Sequence, residues 1–285
     1  MKIIIFSPFF GKLPNYFQLW LNSVKNNKNI DVRFFTDNDL TQYIIPKNVY
    51  VTKISFLDFI KKIQLKFDFE IKIKSPYKLC DIKPMYGYIF EEDTENYDFW
   101  GHADIDFIFG DLSSFITKIY LLREKKIFRN GHFSIYKNTR EVNRYFKKKI
   151  HKIDYKFVLS NLNYLSFDEL PKFSINSIFD YLKEPVYHKN DLIADIHPLY
   201  KSFKLCHLDY LRFSYNNIKV DYLFEYKSPK IFGFYLENNQ IKKKEFLYLH
   251  MQKRNFKNFL VDKENFFIIP DEFVNNLNVN TNLLK

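Results

Sequence analysis

The first part of the chain alternates between strand and helix patterns, and this alternation is the strongest constraint on its fold. Lys2 to Phe6 is a short apolar run that predicts a buried strand. After a turn-rich segment, four apolar residues recur at the spacing of one helical face: Phe17, Trp20, Leu21 and Val24. Further strand patterns run from Ile30 to Thr36 and from Val49 to Ile54. The sequence therefore predicts an α/β fold with a Rossmann-like, mainly parallel sheet flanked by helices.

Capping and hairpin signals extend this outline along the chain. Ser55 followed by Asp58 predicts a capping box at the start of a second helix. Beyond residue 120 the alternation is less regular, with a helix predicted near Arg140 to Ile150 and a hairpin of Tyr222 to Tyr226 against Ile231 to Leu236. We predict one domain over residues 1–260 with a soft internal boundary near 120. Residues 261–285 form a C-terminal extension with a polar, frayed end.

Composition limits the class of protein further. The chain has 285 residues, 46% of them hydrophobic, which is enough to bury a core, and a formal charge of +11. That charge favours nucleic acid, an anionic membrane face or phosphorylated small molecules as partners, although solvated surface lysine also explains it. The two distant cysteines, Cys80 and Cys206, exclude a disulfide framework and indicate a reducing cytoplasm. Since no segment approaches the ~20 apolar residues of a membrane helix, we expect at most peripheral membrane contact, at the inner face of the plasma membrane.

The aspartates Asp104 and Asp106 lie in a strongly apolar stretch. Buried carboxylates need a counter-charge, and on an extended chain residues i and i+2 point to the same side. Both carboxylates can therefore converge on one hard cation, Mg²⁺ or Mn²⁺. The same spacing occurs at Asp37 and Asp39, where we predict helix capping, with contact to a base or ribose as the alternative.

A second segment combines an imidazole with two cations. His250 follows the apolar run Phe246 to Leu249, and Lys253 and Arg254 come soon after it. A strand end would place His250 with ligand-forming residues of other strands, and the two cations could neutralise phosphate charge. A solvated basic turn is the alternative.

Six segments of the chain together resemble a known family. They are Ser7–Gly11 with Pro14–Phe17, Phe35–Asp37, Lys78–Gly87, the stretch around Asp104 and Asp106, Arg129–Asn138, and His250–Arg254. In this order, and over roughly residues 2 to 255, they resemble a family of bacterial GT-A-type glycosyltransferases found among capsule and surface-polysaccharide genes. The resemblance implies a GT-A-like fold, with a nucleotide-sugar-binding half over residues 1–120 and an acceptor-binding half over residues 121–260.

The resemblance also implies an activity. It predicts transfer of a sugar from a nucleotide-diphosphate sugar to a saccharide or lipid-linked saccharide acceptor, with Mn²⁺ or Mg²⁺ held by Asp104, Asp106 and, as a third ligand, His250. The remaining donor contacts that it implies are Ser7, Pro8 and Phe9 at the nucleoside, Thr36 and Asp37 near the base, and Lys78 and Asp81 at ribose or sugar.

The acceptor half allows two interpretations at each of its candidate positions. Arg129 and His132 flank a glycine turn, where they either line the sugar pocket or form a polar hairpin rim. Asp168 and Glu169 either activate the acceptor hydroxyl, as an inverting transfer requires, or begin an ordinary helix.

Two other classes of function remain open on sequence alone. A nucleic-acid-binding protein would account for the +11 charge and the many aromatic residues. A catalytically inactive polysaccharide-binding protein would share the fold without the transfer.

Overall fold

The computed structural model describes residues 1–120, 123–150, 154–170, 172–209, 214–252, 254–257 and 264–284. Lys253, predicted to contact the donor, lies outside this range. In chain order the strands are β1 Ile3–Pro8, β2 Ile30–Thr36, β3 Val49–Lys53, β4 Phe99–Ala103, β5 Phe107–Phe109, β6 Lys126–Ile127, β7 Phe133–Lys137, β8 Val186–Tyr187, β9 Ile193–Asp195, β10 Phe203–Asp209, β11 Ser214–Lys227, β12 Lys230–Glu237, β13 Gln240–Phe246, β14 Tyr248–His250, β15 Asn265–Ile269 and β16 Glu272–Val274.

The α-helices are α1 Phe17–Lys25, α2 Phe56–Gln64, α3 Tyr86–Ile89, α4 Glu91–Thr94, α5 Leu112–Tyr120, α6 Tyr155–Ser160 and α7 Ile175–Tyr181. Short 3₁₀ helices span Pro76–Met85, Val142–Lys147, Asn190–Leu192 and Thr281–Leu284. No helix within the described ranges is both long enough and apolar enough to cross a membrane.

The main sheet has seven strands in the order β3-β2-β1-β4-β7-β6-β8. Strands β1 to β4 run parallel, β7 is antiparallel to both β4 and β6, and β8 is parallel to β6. Both faces of β1 are buried, since Ile3 and Ile5 pack with the helix α1, and Ile4 and Phe6 pack on the side of α2. The predicted α/β fold, with a mainly parallel sheet flanked by helices, is confirmed.

The local signals for the first two helices are also confirmed. The four apolar residues predicted to form one face of α1 are all buried. At the start of α2, the hydroxyl of Ser55 accepts a hydrogen bond from the backbone N–H of Asp58 at 3.1 Å. Helix α1 thus packs as its apolar spacing predicts, and α2 begins at the cap that its sequence predicts.

Two local predictions are wrong. The helix predicted near Arg140 to Ile150 is only the 3₁₀ helix Val142–Lys147, because the Asn143 side chain bonds the Trp100 indole at 2.7 Å and the Gly87 carbonyl at 3.2 Å. These bonds fix the segment in a tight turn against the core. No helix begins within residues 37–48, and Asp39 instead accepts the N–H of Thr41 at 3.0 Å in a turn.

Two smaller sheets complete the fold. Strands β5, β14 and β9 form a three-stranded sheet, and β10 to β13 with β15 and β16 form a six-stranded antiparallel sheet that contains the predicted hairpin. Strand β15, residues 265–269, joins this sheet by pairing with β11. Within the tail predicted to be polar and frayed, the 3₁₀ helix of residues 281–284 packs on the sheet and buries Leu284.

Candidate active site

A cleft with a volume of about 850 Å³ opens at the carboxyl ends of β1 and β4. The carboxyl ends of adjacent parallel strands meet at one sheet edge, which is where ligands of open α/β sheets bind. One wall is the loop after β1, from Pro8 to Tyr16, and another is formed by residues from Pro76 to Tyr86. Five carboxylates line the same cleft: Asp104, Asp106, Asp168, Glu169 and Asp195.

The two aspartates singled out by their spacing both line this cleft but make different contacts. They lie in the bend between β4 and β5 rather than within one strand. The Asp104 carboxylate lies 2.7 Å from the Lys83 amino group, and the Asp106 carboxylate lies 3.5 Å from Nε2 of His250. Asp106 is buried, whereas the Asp104 side chain is 39% exposed. We predicted that both side chains would point to the same side of one strand. In the structure the chain bends here instead, and the two carboxylates contact different partners.

His250 is held between two carboxylates. Its Nδ1 lies 2.8 Å from an oxygen of Asp195, which also accepts a hydrogen bond from Gln252 at 2.8 Å. The pairing of β14 with β9 puts His250 and Asp195 in register, while β5 follows Asp106 and pairs with the other edge of β14. Burial alone would lower the pKa of His250, but Asp106 and Asp195 outweigh it and raise the pKa to about 10.

A second imidazole lies beside His250. The His132 and His250 ring centroids are 4.1 Å apart, and Nε2 of His132 lies 3.0 Å from the Tyr248 hydroxyl. Burial lowers the pKa of His132, and the neighbouring His250 lowers it further. Ligand atoms of His132, Asp195 and His250 lie within 4.8 Å of one another, so they could hold a metal ion.

Lys83 is the buried cation of the cleft. Its amino group lies 2.7 Å from Asp104 and 3.8 Å from Asp168, and it donates a hydrogen bond to the Gly131 carbonyl at 2.9 Å. Burial would lower the pKa of Lys83, but the negative groups around it, Asp104 first, hold that pKa well above its usual value. Lys83 thus stays charged and lies between the carboxylates of Asp104 and Asp168.

Asp168 and Glu169 lie in a turn, and α7 begins only at Ile175, so the alternative of a helix start at this pair is wrong. Burial raises the pKa of Asp168 to about 7, with Lys83 opposing the shift and Glu169 adding to it. Burial also raises the pKa of Glu169. The Tyr164 hydroxyl donates to Asp168 at 3.2 Å.

Lys78 and Asp81, expected to face ribose or sugar, do not line the cleft. Their side chains are 2% and 0% exposed and form an ion pair at 2.7 Å. Both are turned inward, toward the chain segment that precedes Asp168.

The remaining predicted donor residues divide into two groups. Pro8, Phe9 and Arg254 line the cleft, and Arg254 is fixed by hydrogen bonds to the carbonyls of His197, Tyr200 and Lys201. Those that do not line it are Ser7, whose hydroxyl bonds the Ala103 carbonyl at 2.8 Å, Thr36 and Asp37 at the end of β2, and Arg129, which pairs with Asp180 at 2.6 Å.

Sequence reasoning missed Lys83 and Asp195. Lys83 lies inside a segment that was singled out, but nothing in its spacing separates it from the many surface lysines. Asp195 ends the apolar run Ile193–Ala194, a carboxylate at the end of a strand, which is the signal that could have found it.

The chain belongs to DUF6625, a family of unknown function, whose family model matches residues 5–277. No curated protein matches the sequence. Solved structures similar to this chain include mouse xyloside xylosyltransferase 1 in its apo form, with 7% identity, a TM-score of 0.41, and coverage of 70% of this chain and 89% of that chain. They also include the galactosyltransferase LgtC in complex with donor and acceptor sugar analogues, with 12% identity, a TM-score of 0.36, and coverage of 70% of this chain and 76% of that chain.

Proposed function

We propose that this protein is a metal-dependent glycosyltransferase that moves a sugar from a nucleotide-diphosphate sugar to a saccharide acceptor. The observation that carries the proposal is the juxtaposition, in one cleft at the sheet edge, of Asp104, Asp106 and His250 with the acidic pair Asp168 and Glu169. The resemblance in sequence adds the setting: surface-polysaccharide synthesis in a bacterial cytoplasm, with the acceptor either free or lipid-linked at the membrane's inner face.

The donor set fits Mn²⁺ or Mg²⁺. Asp106 and Nε2 of His250 face each other at 3.5 Å, so an ion held between them would replace the proton of His250. Asp104 pairs with Lys83 at 2.7 Å, and its carboxylate is partly exposed. Asp195 on Nδ1 of His250 fixes the ring, as carboxylates do behind histidine ligands. When bound there, the ion would offset the charge that develops on the departing nucleoside diphosphate.

The acidic pair supplies what an acceptor hydroxyl needs. A general base works best with a pKa near the operating pH, and burial raises the pKa of Asp168 to about 7. Asp168 in its ionised form would accept the hydroxyl proton as the acceptor oxygen attacks the sugar C1. Lys83, between Asp104 and Asp168, would keep both carboxylates compensated through that step.

The walls of the cleft fit the nucleoside and the diphosphate of a nucleotide sugar. Pro8 and Phe9 offer an apolar surface for the nucleoside, and Ser7 supports it by tying β1 to β4 through the Ala103 carbonyl. Arg254 lies on the same cleft and can face the diphosphate with a guanidinium already held in place.

The charge of the cleft disfavours nucleic acid as its ligand. Although the chain carries a formal charge of +11, five carboxylates line this cleft and offset the cations beside them, Lys12, Lys83, His250 and Arg254. The cleft therefore lacks the excess of positive charge that a phosphate backbone requires, so a nucleic-acid-binding role would need another surface. The small diphosphate of a sugar donor, neutralised by a divalent ion, suits the cleft better.

A thermal-shift panel tests the proposal. UDP, GDP, CDP and ADP are added with Mn²⁺ or with EDTA, and we expect one nucleotide to raise the melting temperature only when the metal is present. Asp106→Asn should remove that shift, whereas Asp39→Asn, which alters an exposed aspartate in the same Asp-x-Asp spacing, should keep it.

A third variant separates two ion sites. His132→Ala should keep the metal-dependent shift if Asp106 and His250 hold the ion, and should lose it if His132, Asp195 and His250 do. An unchanged shift in Asp106→Asn would contradict the proposed metal site. No shift with any nucleotide in the wild-type protein would contradict the proposed function.

A further inference from the structure

Lys78 and Asp81 form an ion pair deep inside the protein, on a 3₁₀ helix that borders the cleft. Their charged groups are 2.7 Å apart and almost fully excluded from solvent. Burying an ion pair is unfavourable unless further hydrogen bonds satisfy both charges. Among the residues that the structure describes, the hydrogen bonds that satisfy this pair run to one distant segment, residues 158–167.

Asp81 accepts two backbone hydrogen bonds from this segment, from the N–H of Leu165 at 2.9 Å and from the N–H of Phe167 at 2.8 Å. Lys78 donates to the carbonyls of Val158 at 3.0 Å and Asn163 at 2.6 Å. Hydrogen bonds to charged groups are shorter and about twice as strong as neutral ones. The pair therefore fixes the backbone before Asp168, because Asp81 accepts from its N–H groups and Lys78 donates to its carbonyl groups.

The backbone of Glu169, the second residue of the acidic pair, is held in a similar way. The Asn176 amide donates to the Glu169 carbonyl at 2.8 Å, and the buried Lys126 donates to the Asn176 side-chain oxygen at 2.5 Å. Asp168 and Glu169 thus sit in a single turn, in which the N–H groups of Glu169 and Leu170 donate to the Ser166 carbonyl, and buried polar groups anchor this turn on each side. Buried polar groups that fix an irregular segment in this way preorganise the side chains that the segment carries.

We infer that Lys78 and Asp81 are positioning residues that hold Asp168 at the distance from Lys83 and Asp104 at which it can act on the acceptor. This inference rests on the proposed function, in which Asp168 accepts the acceptor's proton. Lys78 and Asp81 contact neither donor nor acceptor, so they contribute to turnover and not to binding of the nucleotide. A displacement of about 1 Å at a reacting group can lower a rate about 100-fold.

The test compares Asp81→Asn with wild type and with the control Asp93→Asn. The control makes the same chemical change in a partly buried carboxylate that pairs with Arg33, and it does not line the cleft. Because Asp81→Asn leaves Lys78 buried without its counter-charge, the double variant Lys78→Met with Asp81→Asn is measured alongside it. The double variant carries neither charge and so keeps the test valid if the single variant folds poorly.

Three quantities are measured. The first is the rate at which UDP-glucose, UDP-galactose, UDP-N-acetylglucosamine and GDP-mannose release nucleoside diphosphate with Mn²⁺. The second is the Kd of UDP and GDP with Mn²⁺, and the third is backbone hydrogen exchange over residues 161–170. We expect kcat to fall about 100-fold in both Asp81 variants while the nucleotide Kd changes by less than about twofold. Exchange should accelerate in this segment and not in the peptides of β1 and β4.

Other results would contradict either the inference or the proposed function. An active wild type with an equally active Asp81→Asn, or with unchanged exchange at residues 161–170, would overturn the inference and leave the proposed function standing. A parallel loss of nucleotide affinity and kcat would also overturn it, since Asp81 would then support the donor site. A wild type that neither binds nucleotide nor releases it would overturn the proposed function, and the inference with it.

Discussion

Asp168 should make the protein less stable as the pH rises toward neutrality. Burial shifts its pKa from the ordinary value of 3.8 to about 7, so the folded state favours the protonated carboxyl. The stability that this group contributes is complete below about pH 4 and declines as pH rises through the folded pKa. Between the ordinary pKa of 3.8 and the folded pKa of about 7, the free energy of unfolding falls by about 1.4 kcal/mol for each pH unit, so the total loss approaches ~4 kcal/mol.

The substitution Asp168→Asn removes this dependence, because an amide of nearly the same shape does not titrate. We therefore expect the unfolding free energy of the variant, relative to wild type, to rise by about 4 kcal/mol between about pH 4 and about pH 8. Urea denaturation of both proteins in EDTA at a series of pH values measures this difference. Activity should be lost in the same variant, which would make Asp168 a site where function costs stability.

A control with the opposite sign is available in Asp39→Asn. Hydrogen bonds from Thr41 lower the pKa of Asp39, so its stabilisation is present at neutral pH and is lost as the pH falls through the folded pKa. The variant-minus-wild-type difference should therefore fall with rising pH in this case. A difference for Asp168→Asn that is independent of pH, or that follows the Asp39 direction, would refute the burial argument.

Three further variants test other parts of the structure. Asp195→Asn should weaken Mn²⁺ binding about 10- to 100-fold in a calorimetric titration, because His250 loses the carboxylate that orients its ring, and an unchanged affinity would count against that role. Gly87→Ala should destabilise the protein by about 3 kcal/mol in urea, since the added Cβ would overlap the Trp100 indole, and full stability would contradict that contact. Ser55→Ala should lose about 1 kcal/mol through the missing N-cap, a change measurable as a lower urea midpoint with an unaltered slope.

The sequence predicted those features that follow from local pattern. The apolar face of α1 and the cap at Ser55 depend on neighbours within one or two turns, and both are confirmed. The interpretation of Asp37 and Asp39 as helix caps failed because no helix begins within residues 37–48 and the Asp39 side chain accepts the N–H of Thr41 in a turn. Spacing could identify a residue that bonds its near neighbours, but could not decide between a turn and a helix there.

The sequence predicted only part of the candidate site, for a different reason. Asp104, Asp106 and His250 stand out because polar groups at the ends of apolar runs are unusual, and all three line the cleft. Lys83 and Asp195 acquire their contacts only when segments distant in sequence become neighbours. Nothing local distinguishes Lys83 from a solvated surface lysine, and the short apolar run before Asp195 is the one local signal for that residue.

The three-stranded sheet has a consequence for how the protein is assembled. Its strands come from residues 107–109, 193–195 and 248–250, and Asp106, Asp195 and His250 lie at one end of it. Closing loops of that length is entropically unfavourable and slow, so these side chains meet only after most of the chain has been ordered. A partly folded chain would present Asp104 and Asp106 without the imidazole opposite them. The sheet therefore makes the ordering of most of the chain a condition for forming the proposed ion site.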